Sequence, residues 1–209
     1  MAYADFNLSG LTKQFNLTIE ENTDLFAEVP EASLRPEFEA QLNRTVPLAL
    51  RVSTEKARSE FIIAPILAEL WMQTGQRVGL FSGVDFPVDP AQGLVGVCDY
   101  IITRSPELLF VKAPVLMLVE AKNEEMKRGY AQCIAEMLAA QTFNAREVVE
   151  SDKVYGAVTI GELWKFLDLT GTTVRIDTHS YHIERLGKIM GILLYLATGK
   201  MPTGAMPHL

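Results

Sequence analysis

The sequence predicts an α/β layered domain with a mixed central sheet flanked by helices, and three observations carry that prediction. Short runs of branched apolar residues, at Val95–Thr103, Val115–Val119 and Val154–Ile160, read as strands buried on both faces. Longer segments with apolar residues at helical spacing stand around them, at about residues 53–73, 124–143 and 180–198. Strands set among helices in this order argue for a layered α/β architecture.

Length and composition bound the rest. At 209 residues the chain is one globular unit, expected over 53–209, preceded by an N-terminal arm over 1–52 that is helical and irregular and packs on the core. An apolar share of 48% leaves ample material for a core. The net charge of −7 argues against a protein held to nucleic acid by a broad basic surface, though a local basic groove beside an acidic pocket is compatible with it. Cys98 and Cys133 lie in apolar contexts with no secretory signal before them, so reduced buried thiols in a cytoplasmic protein are expected. The longest apolar run, Ile189–Ala197, is too short to span a bilayer.

Taken in order, Leu8, Leu11 and Phe15 suggest a short amphipathic turn, and Ser33 opens a helix through Leu34, Phe38 and Leu42 with Pro36 in its first turn. A second helix starts at Ser53, Thr54 and Glu55 and closes at Gly75. Its body from Phe61 to Met72 is apolar nearly all round, with Pro65 bending it. Glu60 stands where the polar first turns meet that body. It reads either as a first-turn carboxylate in solvent or as an acid aimed at a site beside the sheet. A strand over Arg77–Asp89 with a kink near Gly83 follows, then a turn at Asp89–Gly93 and the strand ending at Thr103. After the buried strand at Val115, an amphipathic helix runs from Glu124 to about Phe143, with Gly129, Gln132 and Glu136 on a polar line facing back to the strand end. Val154–Ile160 is another strand, Leu163–Leu169 and Thr172–Asp177 form a hairpin, and Ser180 caps a last helix closed by Gly199. One side of that helix, with Ile183, Leu186, Met190, Leu193 and Ala197, reads as core or as a surface for a homodimer.

The chemistry centres on the strand Val115–Val119, which runs into Glu120 and Lys122 on one face. Taken alone this is a strand-end ion pair. If the hairpin with Val95–Thr103 is symmetric about its loop, however, Thr103 faces Leu116 and Asp99 faces Glu120. Opposed residues of that kind have Cβ atoms only ~4.5–5.5 Å apart. Two carboxylates so close repel unless they share a proton or a cation. Oxygen ligands of this type suit a hard divalent cation such as Mg²⁺ or Mn²⁺, with Glu60 as a further ligand if its helix packs on this edge. Lys122 would orient water or stabilise developing negative charge.

Glu60, Cys98–Asp99, Glu120–Ala121–Lys122 and Gln132 together resemble the pattern of the restriction-endonuclease-like PD-(D/E)xK nuclease superfamily. The stretch from Tyr155 to Phe166 is similar to the strand and hairpin that follow the active-site helix in the N-terminal nuclease domain of type I restriction motor subunits. The resemblance covers roughly residues 54–180 and implies a restriction-endonuclease-like core. It implies metal-binding roles for Asp99 and Glu120, the catalytic lysine at Lys122, the auxiliary acid at Glu60, and at Gln132 a residue that places the lysine or the substrate phosphate. Cys98 departs from the superfamily's proline. No motor or specificity domain accompanies the pattern, so a type I restriction role is not implied. The expectation is a Mg²⁺- or Mn²⁺-dependent nuclease acting on nucleic acid, DNA first, with no membrane partner. A catalytically silent module of the same fold, binding nucleic acid or protein, is the alternative.

Other groupings are weaker. His179 and His182 have helix-like spacing without an evident third ligand. Asp85 and Asp89 would replace Asp99 if the register differs. Lys112, Lys127, Arg128 and Arg146 are candidates for a phosphate track.

Overall fold

The structure, a computed structural model, describes residues 2–122, 126–147 and 153–202. Its helices are α1 (Leu8–Gln14), α2 (Pro36–Val52), α3 (Glu55–Arg58), α4 (Ala64–Gln73), α5 (Met126–Arg146) and α6 (Leu186–Thr198). Its strands are β1 (Thr18–Thr23), β2 (Gly79–Asp85), β3 (Val97–Thr103), β4 (Val115–Ala121), β5 (Lys153–Thr159), β6 (Leu163–Thr170), β7 (Thr173–Asp177) and β8 (Tyr181–His182). The strands join in one mixed sheet, ordered β1-β7-β6-β5-β4-β3-β2, with β8 pairing β6. Parallel pairing of β4 with β5 demands a crossover, and α5 provides it.

The sheet separates two apolar layers. On one face α2, α4 and α6 cover Tyr100, Ile102, Met117, Val119, Trp164 and Phe166. On the other, α1 and α5 cover Ile101, Leu118, Val158 and Leu167. Alternation along β4 sends Leu118 and Glu120 to the α5 face and Val119 and Ala121 to the opposite one. Two glycines let α5 lie close to the sheet. A Cβ on Gly156 would meet Met137 Sδ at 2.5 Å and Cys133 Sγ at 2.7 Å, and one on Gly129 would meet Val158 Cγ1 at 2.5 Å and Lys122 Cγ at 3.1 Å.

Several boundaries differ from expectation. The segment before residue 53 supplies strand β1, which pairs in parallel with β7, as well as core side chains such as Tyr3, Leu11, Phe38 and Leu42. Ile19 is the one strongly apolar residue of β1, so no alternating pattern marks it. Pro36, preceded by Arg35 as N-cap, starts α2 in place of Ser33. Ser53 ends α2 in the left-handed conformation, and Thr54 caps α3 by accepting from Ala57 N–H. Pro65 does not simply bend its helix. It lacks the N–H that would pair with the Phe61 carbonyl, and the chain widens into a π turn over Ser59–Ile63, with Ala64 N–H bonded to Ser59 O. The last helix begins at Leu186, not Ser180, because Tyr181 is drawn into β8. Its ring packs edge-on against Phe166 and its hydroxyl donates to Asp177 Oδ2 at 2.8 Å.

Gly75 and Gly199 close their helices in the left-handed conformation, as expected. Residues Ile189, Met190, Ile192, Leu193, Leu196 and Ala197 of α6 are buried in the core. Among the described residues no helix is long and apolar enough to cross a membrane. The expected helix start at Glu124 lies outside the described residues.

Candidate functional site

The register of the β3–β4 hairpin decides whether the two acids meet. Tyr100 pairs with Val119, Ile101 with Leu118 and Ile102 with Met117, and one step past the last of these pairs the same count sets Asp99 opposite Glu120. Thr103 pairs with Val115 and not with Leu116, so Leu116 is an extra residue in a bulge. The bulge lies at the loop end and leaves the register at the other end untouched. On its far side Asp99 stands across from Gly83, between the pairs Ser82–Tyr100 and Val84–Cys98. Gly83 has φ +63, the kink expected there, and open space where a side chain would be.

Asp99 Oδ2 accepts from Ala121 N–H at 2.8 Å, which ties the acid of β3 to the end of β4. Glu120 is 0% exposed and ion-paired with Lys122, whose side chain is 20% exposed. Lys122 Nζ also donates to Gln132 Oε1 at 3.2 Å, and Gln132 Nε2 donates to Glu136 Oε1 at 3.2 Å. Glu136 is fully buried and interacts directly with Glu120. Four side chains from β4 and α5 thus form a closed polar ring, with Asp99 beside it.

The ring is short of positive charge. Apart from the ion pair with Lys122, neither oxygen of Glu120 has a hydrogen-bond partner, and Glu136 Oε2 has none. Burial, then the neighbouring Asp99, pushes the Glu120 carboxyl up to about 7 against the partial relief from Lys122. Burial and Glu120 push Glu136 well above the usual carboxylate range, and burial also raises Asp99. Burial alone would lower Lys122, but Glu120, Glu55 and Asp99 outweigh it and the ammonium is held more tightly than usual. The surrounding acids thus favour the charged form of Lys122. Neighbouring carboxylates with too little positive charge around them fit a hard divalent cation by charge and by ligand type, and Asp99 and Glu120 are the residues that would hold it.

A cleft of about 750 Å³ opens onto Lys122 and Gln132. One wall is the N-terminal stretch Ala4–Leu8, the other the first turns of α5 with Lys127 and Arg128. Of the four cations proposed for a phosphate track, these two line the cleft. Lys112 lies in the loop at the opposite end of β3 and β4, and Arg146 donates to Val88 O.

Asp99, Glu120, Lys122 and Gln132 come together as the sequence suggests, and Glu60 does not join them. It stands on the helical layer over the opposite face, 51% exposed, paired with Lys56 at 2.8 Å. The acid from that helix nearest Lys122 is Glu55, which lines the cleft. Asp85 is exposed, and Asp89 is occupied in capping the turn at Pro90–Gln92. Cys98 and Cys133 are free buried thiols pushed up by burial, so neither is a nucleophile.

His182 sits on β8 and is no partner of His179. Instead His179 joins Asp24 and Asp177 in the one group among the described residues whose His, Cys, Asp or Glu ligand atoms, three or more, all lie within 4.8 Å of one another. Its members already satisfy each other: Asp177 accepts from Tyr181 and from His179 N–H, and His179 Nδ1 lies 3.3 Å from Asp24 Oδ2. That arrangement clasps the ends of β1 and β7. Comparison with known proteins finds no family model that matches this chain and no matching curated relative.

Proposed function

We propose that this protein is a Mg²⁺- or Mn²⁺-dependent phosphodiesterase that hydrolyses nucleic acid, DNA first, through Asp99, Glu120 and Lys122. The observation that carries the reading is the charge deficit at Glu120: a buried carboxylate beside Asp99 whose one cation is Lys122 and which receives no backbone or amide N–H. A bound divalent cation supplies a Lewis acid for the phosphoryl group and eases ionisation of the attacking water. The chain's own residues supply the rest. Ala121 N–H fixes the Asp99 carboxylate. Lys122, kept protonated by the surrounding acids, faces the cleft and stabilises the negative charge that grows on the phosphoryl oxygens in the transition state. Gln132 holds that ammonium in place from α5. Lys127 and Arg128 receive a phosphate further along the strand.

A catalytically silent module of the same architecture is the second reading. The solvent-facing pair Glu60–Lys56 favours it, since the auxiliary acid stands away from the site. Incubation with supercoiled plasmid, linear duplex, single strands and RNA in Mg²⁺ or Mn²⁺ separates the two. Cleavage abolished by Glu120→Ala supports the enzyme, and no cleavage of any substrate leaves the silent module.

A further inference from the structure

The polar ring holds one more acid than the proposed chemistry uses. Three carboxylates, those of Asp99, Glu120 and Glu136, stand together with one ammonium, which pairs with Glu120 and attracts Asp99. Asp99 has the Ala121 N–H and Glu136 Oε1 has the Gln132 amide. Glu136 Oε2, sealed from solvent on a fully buried residue, receives no N–H or hydroxyl, and the Glu136 carboxyl interacts with that of Glu120. A buried carboxylate elsewhere in the core would be expected to bring its own donor.

We propose that Glu136 is a third carboxylate ligand of the divalent cation held by Asp99 and Glu120, binding through Oε2 while Gln132 keeps Oε1. Ligand atoms of the three acids do not all lie within 4.8 Å of one another, so closing around an ion requires one side chain to turn. Three carboxylates and one lysine carry the −2 charge that a divalent cation neutralises. The alternative is a proton shared between Glu120 and Glu136 as a purely structural pair.

This inference rests on the cation-binding half of the proposed function and is independent of cleavage. Mn²⁺ titration followed by electron paramagnetic resonance, on the whole chain, compares wild type with Glu120→Gln, Glu136→Gln and, as a control at the other cluster, Asp177→Asn. The expected result is a tenfold or greater loss of Mn²⁺ affinity in Glu120→Gln and Glu136→Gln and none in Asp177→Asn. Should Glu136→Gln not fold, Glu136→Asp replaces it, and the expected affinity is again well below wild type. Glu136→Gln or Glu136→Asp binding Mn²⁺ as wild type does overturns the proposal, as does a wild type that binds no Mn²⁺. If the affinity loss is found but no nucleic acid is cut, the nuclease reading fails and this ligand assignment stands. Cleavage in wild type with unchanged Mn²⁺ affinity in Glu136→Gln has the opposite meaning.

Discussion

Glu69 and Glu120 are both fully buried glutamates, yet the protein treats them in opposite ways. Glu69, on α4, receives Arg35 Nε at 2.9 and 3.1 Å, a second nitrogen of the same guanidinium, and Gln73 Nε2 at 2.8 Å. Burial pushes its carboxyl up, but the Arg35 and Gln73 bonds outweigh that and hold it below the usual range. Asp168 is handled in the same manner, by Arg175 on both oxygens and by Lys153. Glu120 has one ammonium against it and two further acids beside it, and burial wins. The difference shows that this fold has the means to satisfy a buried carboxylate and does not apply them between β4 and α5. A structural ion pair looks like Glu69; the contrast at Glu120 is what supports the proposed cation there.

The comparison breaks most visibly in stability. Arg35→Ala leaves Glu69 buried without its main partner. Arg35 is itself 49% exposed, so the loss falls short of that for a fully buried pair, yet it is the largest stability change expected among these variants. Glu120→Gln, which removes a buried charge that Lys122 alone offsets and that burial disfavours, should leave the metal-free protein as stable as wild type or more so. Urea unfolding in the presence of a chelator measures both. Equal losses in the two variants would mean that Glu120 is as well satisfied as Glu69, and the argument for a cation would go with it.

How far the site can be read without coordinates follows from the kind of pattern each residue belongs to. Asp99 and Glu120 meet because strand alternation and a simple count along the hairpin hold at their end, although the bulge at Leu116 breaks the count at the other. Gln132 and Glu136 share a helix face by ordinary i, i+4 spacing, and α5 is regular enough for that to work. Glu60 is different. The π turn at Ser59–Ile63 carries one residue more than an α-helical turn, which shifts the phase of everything before it by roughly 100° relative to the apolar body. The acid that regular spacing aims at the sheet edge then faces solvent, and Glu55 borders the cleft instead. Strand β1 escapes for another reason: an edge strand of Thr, Glu and Asn with one apolar side chain has no periodicity to detect.

The pH response sharpens the same contrast. Glu120 is raised from 4.5 to about 7, so between those values the unfolded chain loses its proton while the folded chain keeps it. The stability contributed by that proton is complete below about pH 4.5 and is lost as pH rises toward about 7, amounting to roughly 3 kcal/mol for a shift of this size. Asp99 and Glu136 are raised too and act in the same direction. Glu69, being lowered, contributes stability that is present above its unfolded value and disappears only in more acid solution. Metal-free protein should therefore lose stability between about pH 5 and 7, an unusual sense for buried acids. Glu120→Gln should flatten that slope and Mn²⁺ should reverse it. A wild-type profile that rises across the same interval would show that the ring is already neutralised.

The smallest effect belongs to the cleft. Lys127 is exposed and lines the same wall as Lys122, so its contribution is long-range attraction to a phosphate and not chemistry. In a Glu120→Gln background, where nucleic acid can bind without being cut, Lys127→Ala should weaken binding by a similar factor for every sequence. It should also lower the slope of log affinity against log salt by about 1. The counterpart on the far end of β3 and β4 is Lys112, which should leave the slope unchanged when replaced by alanine. Equal slopes for the two variants would mean that the nucleic acid does not run through the cleft between Ala4–Leu8 and α5. The charge deficit at Glu120 would then have to be explained without a phosphate beside it.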